Sequence, residues 1–192
     1  MRKILIIGAG RSSSSLIKYI LDKSNSENLQ ITIGDISIEN AQQKINNHPN
    51  GKAISLDVFN KEQRVAAIKN SDIVISMLPA HLHIEVAKNC LEFKKHMVTA
   101  SYISKEMKAL DEQAKANGLI FMNEIGLDPG IDHMSAMQVI HKIRESGAKM
   151  LLFESFCGGL VAPESDNNLW NYKFTWNPRN VVLAGQGTAK FI

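Results

Sequence analysis

Residues 123–134 read NEIGLDPGIDHM and set Glu124, Asp128 and Asp132 among Gly126, Pro129 and Gly130, with His133 directly behind Asp132. Carboxylates accept and return protons or hold cations, and a turn stiffened by proline keeps them in one geometry while they do so. Asp128, at the centre of the turn, is the residue best placed to move a proton or to hold a cation. Glu124 lies one turn back within a predicted strand and is the weaker choice. Asp132 and His133 read as caps of a helix that begins near Ile131. A second residue with reactive chemistry is Cys157, at the end of LLFESFC and just before Gly158-Gly159. The run reads as a strand entering a glycine turn, where a ligand or another backbone can come close. By spacing alone, a packed structural cysteine is the default reading.

Such residues need a scaffold, and the first forty residues indicate one. KILIIG is a continuous apolar run with β-branched residues, as in a strand covered on both faces. GAGRSSSSLIKYILDK follows with Leu16, Ile17, Ile20 and Leu21 at helical spacing. Between them stand Gly8 and Gly10, the tight turn of a dinucleotide-binding βαβ unit, with small Ser13 at the third glycine position. Bare backbone there lets a pyrophosphate approach N–H groups at a helix N-terminus. The next strand, LQITIGD, ends at Asp35, roughly 20 residues past the turn, where a carboxylate takes the adenosine ribose hydroxyls. The plainer alternative is any strand–turn–helix opening of an α/β fold, with Asp35 as a loop acid.

The alternation continues. KAISLDV, SDIVISMLP, HMVTASY and LIFMNE read as strands, with Asp57 and Val58 placed to flank an adenine. NKEQRVAAIKN, HLHIEVAKNCLEFK and SKEMKALDEQAKANG read as helices, the last closed by Gly118. Strands alternating with helices imply an α/β, Rossmann-type doubly wound parallel sheet. Its ligands bind at the carboxyl ends of the strands, where Gly10, Asp35, Leu78, Ser101 and Asp128 fall. We expect residues 1–127 to form this domain and residues 128–192 to begin a second, α+β domain for substrate binding and dimerisation. LLFESFCGG would start its sheet.

Several residues invite plainer readings. His81 and His83 are two apart near a helix start, which does not put two imidazoles on one helical face, so solvent or capping roles are expected and no metal. Ser12 to Ser15 read as helix caps and phosphate neighbours. Met77, Met97 and Met122 read as core, and Cys90 as buried and inert.

Composition limits the classes. The 192 residues, 44% hydrophobic and 21% charged, describe a soluble globular chain. A net charge of +3 without a basic cluster argues against nucleic acid. No apolar run is long enough for a membrane span or a signal h-region. Two cysteines make no disulfide framework, and a cytoplasmic setting is the default.

NEIGLDPGIDHM and FCGGLVAPESDNNLWNYKFTW together resemble the saccharopine dehydrogenases of the glutamate-forming, reductase type. IIGAG, DIVISMLP and TASYIS match the same family in the same order, so the resemblance covers essentially the whole chain. Family enzymes are about twice as long, which makes this chain similar to their amino-terminal portion. The resemblance implies NAD(P)-dependent interconversion of saccharopine with glutamate and 2-aminoadipate 6-semialdehyde in lysine metabolism, by a homodimer. It implies that cofactor lies along Gly8, Gly10, Arg11, Ser12 and Ser13, along Asp35, Ile36 and Ser37, on Asp57-Val58, and on Leu78-Pro79. Leu127, Asp128 and Pro129 would lie beside the nicotinamide, Ser101 and Tyr102 would meet substrate, and Asp128, Cys157 and Tyr102 would stand near the chemistry. A substrate with three carboxylates calls for cations, for which Lys173 and Arg179 are candidates. NADP-using relatives tend to have a basic residue just after the second strand, where this chain has Asp35-Ile36-Ser37. That carboxylate favours NAD, Arg11 could compensate, and NADP or NAD stays open. Neighbouring imine reductases of the carboxynorspermidine or homospermidine synthase type, or a non-catalytic NAD(P) sensor, are the alternatives.

Overall fold

The computed structural model describes residues 1–159, 161–173 and 182. Its centre is β1 (Arg2–Ile7), whose alternating side chains go to opposite faces, as the two-residue period of a strand requires. Ile4 and Ile6 join a core with Ile17, Leu21, Ile31, Ile33, Ala41 and Ile45. Leu5 and Ile7 join another with Leu56, Ile68, Val74, Val86, Cys90 and Met97. A strand buried on both faces has to be an unbroken apolar run, and KILII is one.

Parallel pairing builds outward from β1 to a sheet in the order β3-β2-β1-β4-β5-β6. The outer strands are β2 (Leu29–Asp35), β3 (Gly51–Ser55), β4 (Ile73–Ser76), β5 (His96–Thr99) and β6 (Phe121–Met122). Helices α1 (Ser14–Lys23) and α2 (Ile38–Ile45) cover the Ile4/Ile6 face, and α3 (Lys61–Lys69) and α4 (His83–Glu92) the other. The doubly wound parallel sheet is therefore as expected. Order reverses between β1 and β4, so the crevice for a ligand opens above those two strands.

Local chemistry explains the helix starts. Asn60 accepts the Glu62 and Gln63 N–H groups at the head of α3. Ser37 accepts the Asn40 N–H at the head of α2, a helix that the strand-and-helix reading passed over. Its signal was present, since Ile38, Ala41 and Ile45 share one face and Asn46 closes it in the left-handed region.

Other expectations need correction. SKEMKALDEQAKANG forms two short helices, α5 (Lys105–Lys108) and α6 (Asp111–Ala116), which break at Ala109-Leu110. Met97 is core and Met77, half-buried just past the end of β4, packs against the core, but Met122 is 45% exposed. β6 stops at Met122, so Glu124 is a loop residue with φ of 61° and not part of a strand. The serines do not cap α1, because Ser13 makes no capping bond; its buried hydroxyl donates to the Gly10 carbonyl at 2.8 Å instead. LLFESFCGG is not a strand: residues 151–159 carry no regular secondary structure and pair with no sheet among the described residues. Strands need partners for their backbone groups, and none of the described residues supplies one there.

The two-faced burial of β1 makes a direct prediction. Ile6 is 0% exposed, so Ile6→Ala should cost about 2–5 kcal/mol in denaturant unfolding. A loss under about 1 kcal/mol would mean that β1 is not the sheet's packed centre.

Candidate functional site

The first half of the site is the crevice above β1 and β4, which extends over the ends of β2 and β3. Gly8 leaves β1 with φ of 106°, and a Cβ there would lie 3.0 Å from the Met77 carbonyl oxygen. Only glycine tolerates both the backbone and the neighbour. A Cβ at Gly10 would meet nothing within 4 Å, so that backbone faces open space. No side chain caps the short 3₁₀ turn Arg11–Ser13. Together these features suit a phosphate approaching bare main chain.

Asp35, the last residue of β2, reaches back to this turn. Its Oδ2 accepts the Ala9 N–H at 2.6 Å and its Oδ1 the Ser37 N–H at 3.0 Å. The carboxylate is thereby fixed at the crevice edge. Beside it lies a cleft of about 170 Å³ lined by Gly8, Asp35, Ile36, Asp57, Val58 and Leu78, all named from sequence. Phe59 also lines it and is 74% exposed. Sequence reading missed this ring, which no residue pattern marks. The Ser37 hydroxyl is already engaged, donating to Glu39 Oε2 at 2.8 Å and accepting from Asn40. Arg11, Ser12 and Pro79 are exposed at the rim. These residues fit a dinucleotide.

The second half is the turn after β6. Gly130 has φ of 147°, and a Cβ on it would collide with the Gly126 backbone. That close approach lets Gly126 N–H donate to the Pro129 carbonyl at 2.8 Å, and Ile131 N–H to the Gly126 carbonyl at 3.0 Å. The turn leads into α7 (Ile131–Glu145), whose first residue is preceded by Gly130 with no side-chain cap. Asp132 serves the entry differently from a cap, accepting the Gly130 N–H at 2.9 Å from inside the first turn.

Asp128 does not cap that helix. Its Oδ1 accepts the Tyr102 hydroxyl at 3.0 Å, and the Cys157 thiol lies close enough to its carboxylate for that group to be the first cause of the thiol's raised pKa. The three residues implied for the chemistry thus meet at one point. Asp128, followed by burial, pushes the Cys157 thiol up, and burial followed by its own hydrogen bond to Asp128 raises Tyr102. Both keep their protons at neutral pH, so Cys157 is a donor here and not a thiolate nucleophile. Glu124 faces elsewhere, its Oε1 accepting the Ile103 N–H at 3.0 Å. Leu127 is exposed and Pro129 buried. Lys173 is half-buried and makes no hydrogen bond to this group, and Arg179 lies outside the described residues.

His83 is the largest revision. It is neither solvated nor a cap but 4% exposed. Its Nδ1 lies 2.8 Å from Ser76 Oγ, and its Nε2 2.8 Å from Ser101 Oγ and 3.2 Å from Thr99 Oγ1. Burial, with His81 second, pushes the imidazole down to about 4, so the ring is neutral. A lone histidine near a helix start carries no sequence signal for this.

A fixed carboxylate at the crevice edge makes a binding prediction. Asp35→Asn removes the charge but keeps an acceptor, and should raise NADPH affinity relative to NADH by about tenfold, roughly 1.4 kcal/mol of relieved repulsion. Fluorescence titration with both nucleotides measures it. An unchanged ratio would show that Asp35 does not face the ribose.

Residues 4–122 match the family described as Saccharopine dehydrogenase NADP binding domain, and residues 126–192 the Saccharopine dehydrogenase C-terminal domain. Saccharopine dehydrogenase [NADP(+), L-glutamate-forming] of Schizosaccharomyces pombe is 40% identical over 100% of this chain and 42% of its own length. Alpha-aminoadipic semialdehyde synthase of Arabidopsis thaliana is 37% identical over 98% of this chain and 19% of its own. The apo, histidine-tagged saccharopine dehydrogenase (L-Glu forming) structure from Saccharomyces cerevisiae superposes with a TM-score of 0.84 at 36% identity, covering 96% of this chain and 40% of that one. The chain therefore spans less than half the length of these relatives. Among the described residues no helix is long and apolar enough to cross a membrane. With a family match over residues 4–122, more than half of its length, the chain belongs to the saccharopine dehydrogenase family.

Proposed function

We propose that this chain carries the cofactor-binding part and the acid–base group of an NAD(P)-dependent oxidoreductase acting on the CH–NH bond of saccharopine. The observation that carries the reading is the meeting of Tyr102, Asp128 and Cys157 beside the dinucleotide crevice. The reaction takes saccharopine, NAD(P)+ and water to glutamate, 2-aminoadipate 6-semialdehyde, NAD(P)H and a proton. The nicotinamide, when bound, supplies the hydride acceptor, and the remaining work falls on the protein.

That work is proton handling. A secondary ammonium has to lose a proton before its neighbouring carbon can give up hydride, and water then has to be activated against the C=N bond. Asp128 takes both tasks as an acceptor aimed by two protonated donors. Asp132 and Glu124 add negative potential around Tyr102, which favours a cationic amine over an anion. Arg11, Ser12 and the cleft from Asp35 to Leu78 hold the cofactor, Leu127 and Pro129 flank its reactive end, and Ser101 and Tyr102 meet substrate. Lys173 and Arg179 serve the carboxylates. Residues 1–127 and 128–192 form the two domains, in keeping with the family matches on either side of residues 123–125.

We place the protein in the cytoplasm as a homodimer. α7 has no buried residue, and Ile131, Met134 and Val139 on it are exposed. Sedimentation should report a dimer at micromolar concentration, and a monomer at all concentrations would remove that assignment.

Asp128→Asn decides the function. Asp128 is exposed and caps nothing, so the substitution should leave melting temperature and cofactor affinity unchanged in the full-length polypeptide. Saccharopine turnover should fall by about 10²–10⁴, the usual contribution of a positioned acid–base group. Turnover near wild type would remove Asp128 from the chemistry.

A further inference from the structure

His83 stands where two strands end, and neither the cleft nor the proton chemistry above uses it. Ser76 is the last residue of β4 and Thr99 the last of β5, both are buried, and both face the imidazole. A neutral imidazole has one N–H and one lone pair, and hydroxyls complete both nitrogens here. Such a closed polar set inside an apolar sheet has one arrangement that satisfies every member.

The arrangement continues toward the site through Ser101. Its hydroxyl meets His83, its N–H donates to Thr99 Oγ1 at 3.3 Å, and its carbonyl accepts the Glu124 N–H at 3.1 Å. On the far side of Tyr102, the Ile103 N–H is held by Glu124 Oε1. Tyr102 itself is 66% exposed, so packing does not aim its ring. Its aim is set by where the flanking backbone is pinned.

We propose that His83 is a positioning residue: its buried imidazole locks Ser101 to the end of β4 and thereby holds the Tyr102 hydroxyl on Asp128. This rests on the reading of Asp128 as the acid–base group. The Ser101 side of the ring carries the effect, and the Ser76 side anchors the ring.

Two substitutions separate the sides. The amide nitrogen of glutamine reaches the place of Nε2, and that of asparagine the place of Nδ1. In the full-length polypeptide, His83→Gln should keep kcat within about threefold of wild type. His83→Asn should lower kcat by about 10²-fold, the cost of a displacement near 1 Å, with cofactor affinity unchanged. A second readout needs no turnover. The raised Tyr102 phenol, isolated by ultraviolet titration of each protein against its Tyr102→Phe counterpart, should fall toward the ordinary value of about 10 in His83→Asn and stay raised in His83→Gln. Equal effects of the two substitutions, the reverse order, or a Tyr102 titration moved by neither would overturn the proposal. If wild type does not turn over saccharopine, the functional reading falls, and the phenol titration alone decides the role of His83. Should His83→Asn fail to fold, Ser101→Ala removes the same link: a lowered Tyr102 titration supports the proposal, and an unmoved one overturns it.

Discussion

Burial of β1 on both faces is the constraint from which the rest follows. Because Ile4 and Ile6 face one layer of helices and Leu5 and Ile7 the other, every neighbour of β1 has to run parallel to it with a helix in between. The carboxyl ends of β1 to β5 then come together along one edge, with the turn after β6 beside them. Chemistry drawn from residues 8, 35, 101 and 128 becomes local only through that arrangement.

An edge where ladders stop leaves backbone groups and strand ends without lateral ties. Here polar side chains supply them. Asp35 ends β2 and holds the Ala9 N–H just past β1. Ser76 ends β4 and Thr99 ends β5, and His83 joins the two. Ser101 passes the tie on to the loop after β6 through the Glu124 N–H. This edge is thus stitched from strand to strand by side chains, and Asp35 among them also lines the crevice. These ties explain why polar groups are tolerated at the ends of otherwise apolar strands.

What was legible in the sequence follows from this division. Features set by short-range pattern could be read: the apolar run of β1, the glycine turn, Asp35 at its distance, and the alternation that gives a parallel sheet. The carboxylates on the turn at 123–134 were visible because proline and glycine mark a turn wherever they stand. Features that depend on a partner far along the chain were not legible. His83 looked solvated because its partners lie 7, 16 and 18 residues away, at the ends of β4 and β5 and in the loop after β5. Phe59 had no pattern to mark it, and α2 was hidden in a polar stretch whose apolar positions are only Ile38, Ala41 and Ile45. LLFESFCGG had strand composition without a strand beside it, and composition alone does not pair a backbone.

Charge at the two halves of the site points to a division of recognition. Around Asp128 the described partners are two neutral donors, Tyr102 and Cys157, with Asp132 and Glu124 as further acids. Among the described residues no lysine or arginine forms an ion pair with Asp128. A carboxylate held by neutral donors keeps its charge available to an incoming cation, whereas one neutralised by arginine would be committed to structure. The same acids repel anions, so the group suits a cation and not a carboxylate. In the proposed function the amine is therefore the part of the substrate that meets this group, and the substrate's carboxylates call for cations that the acidic group does not contain.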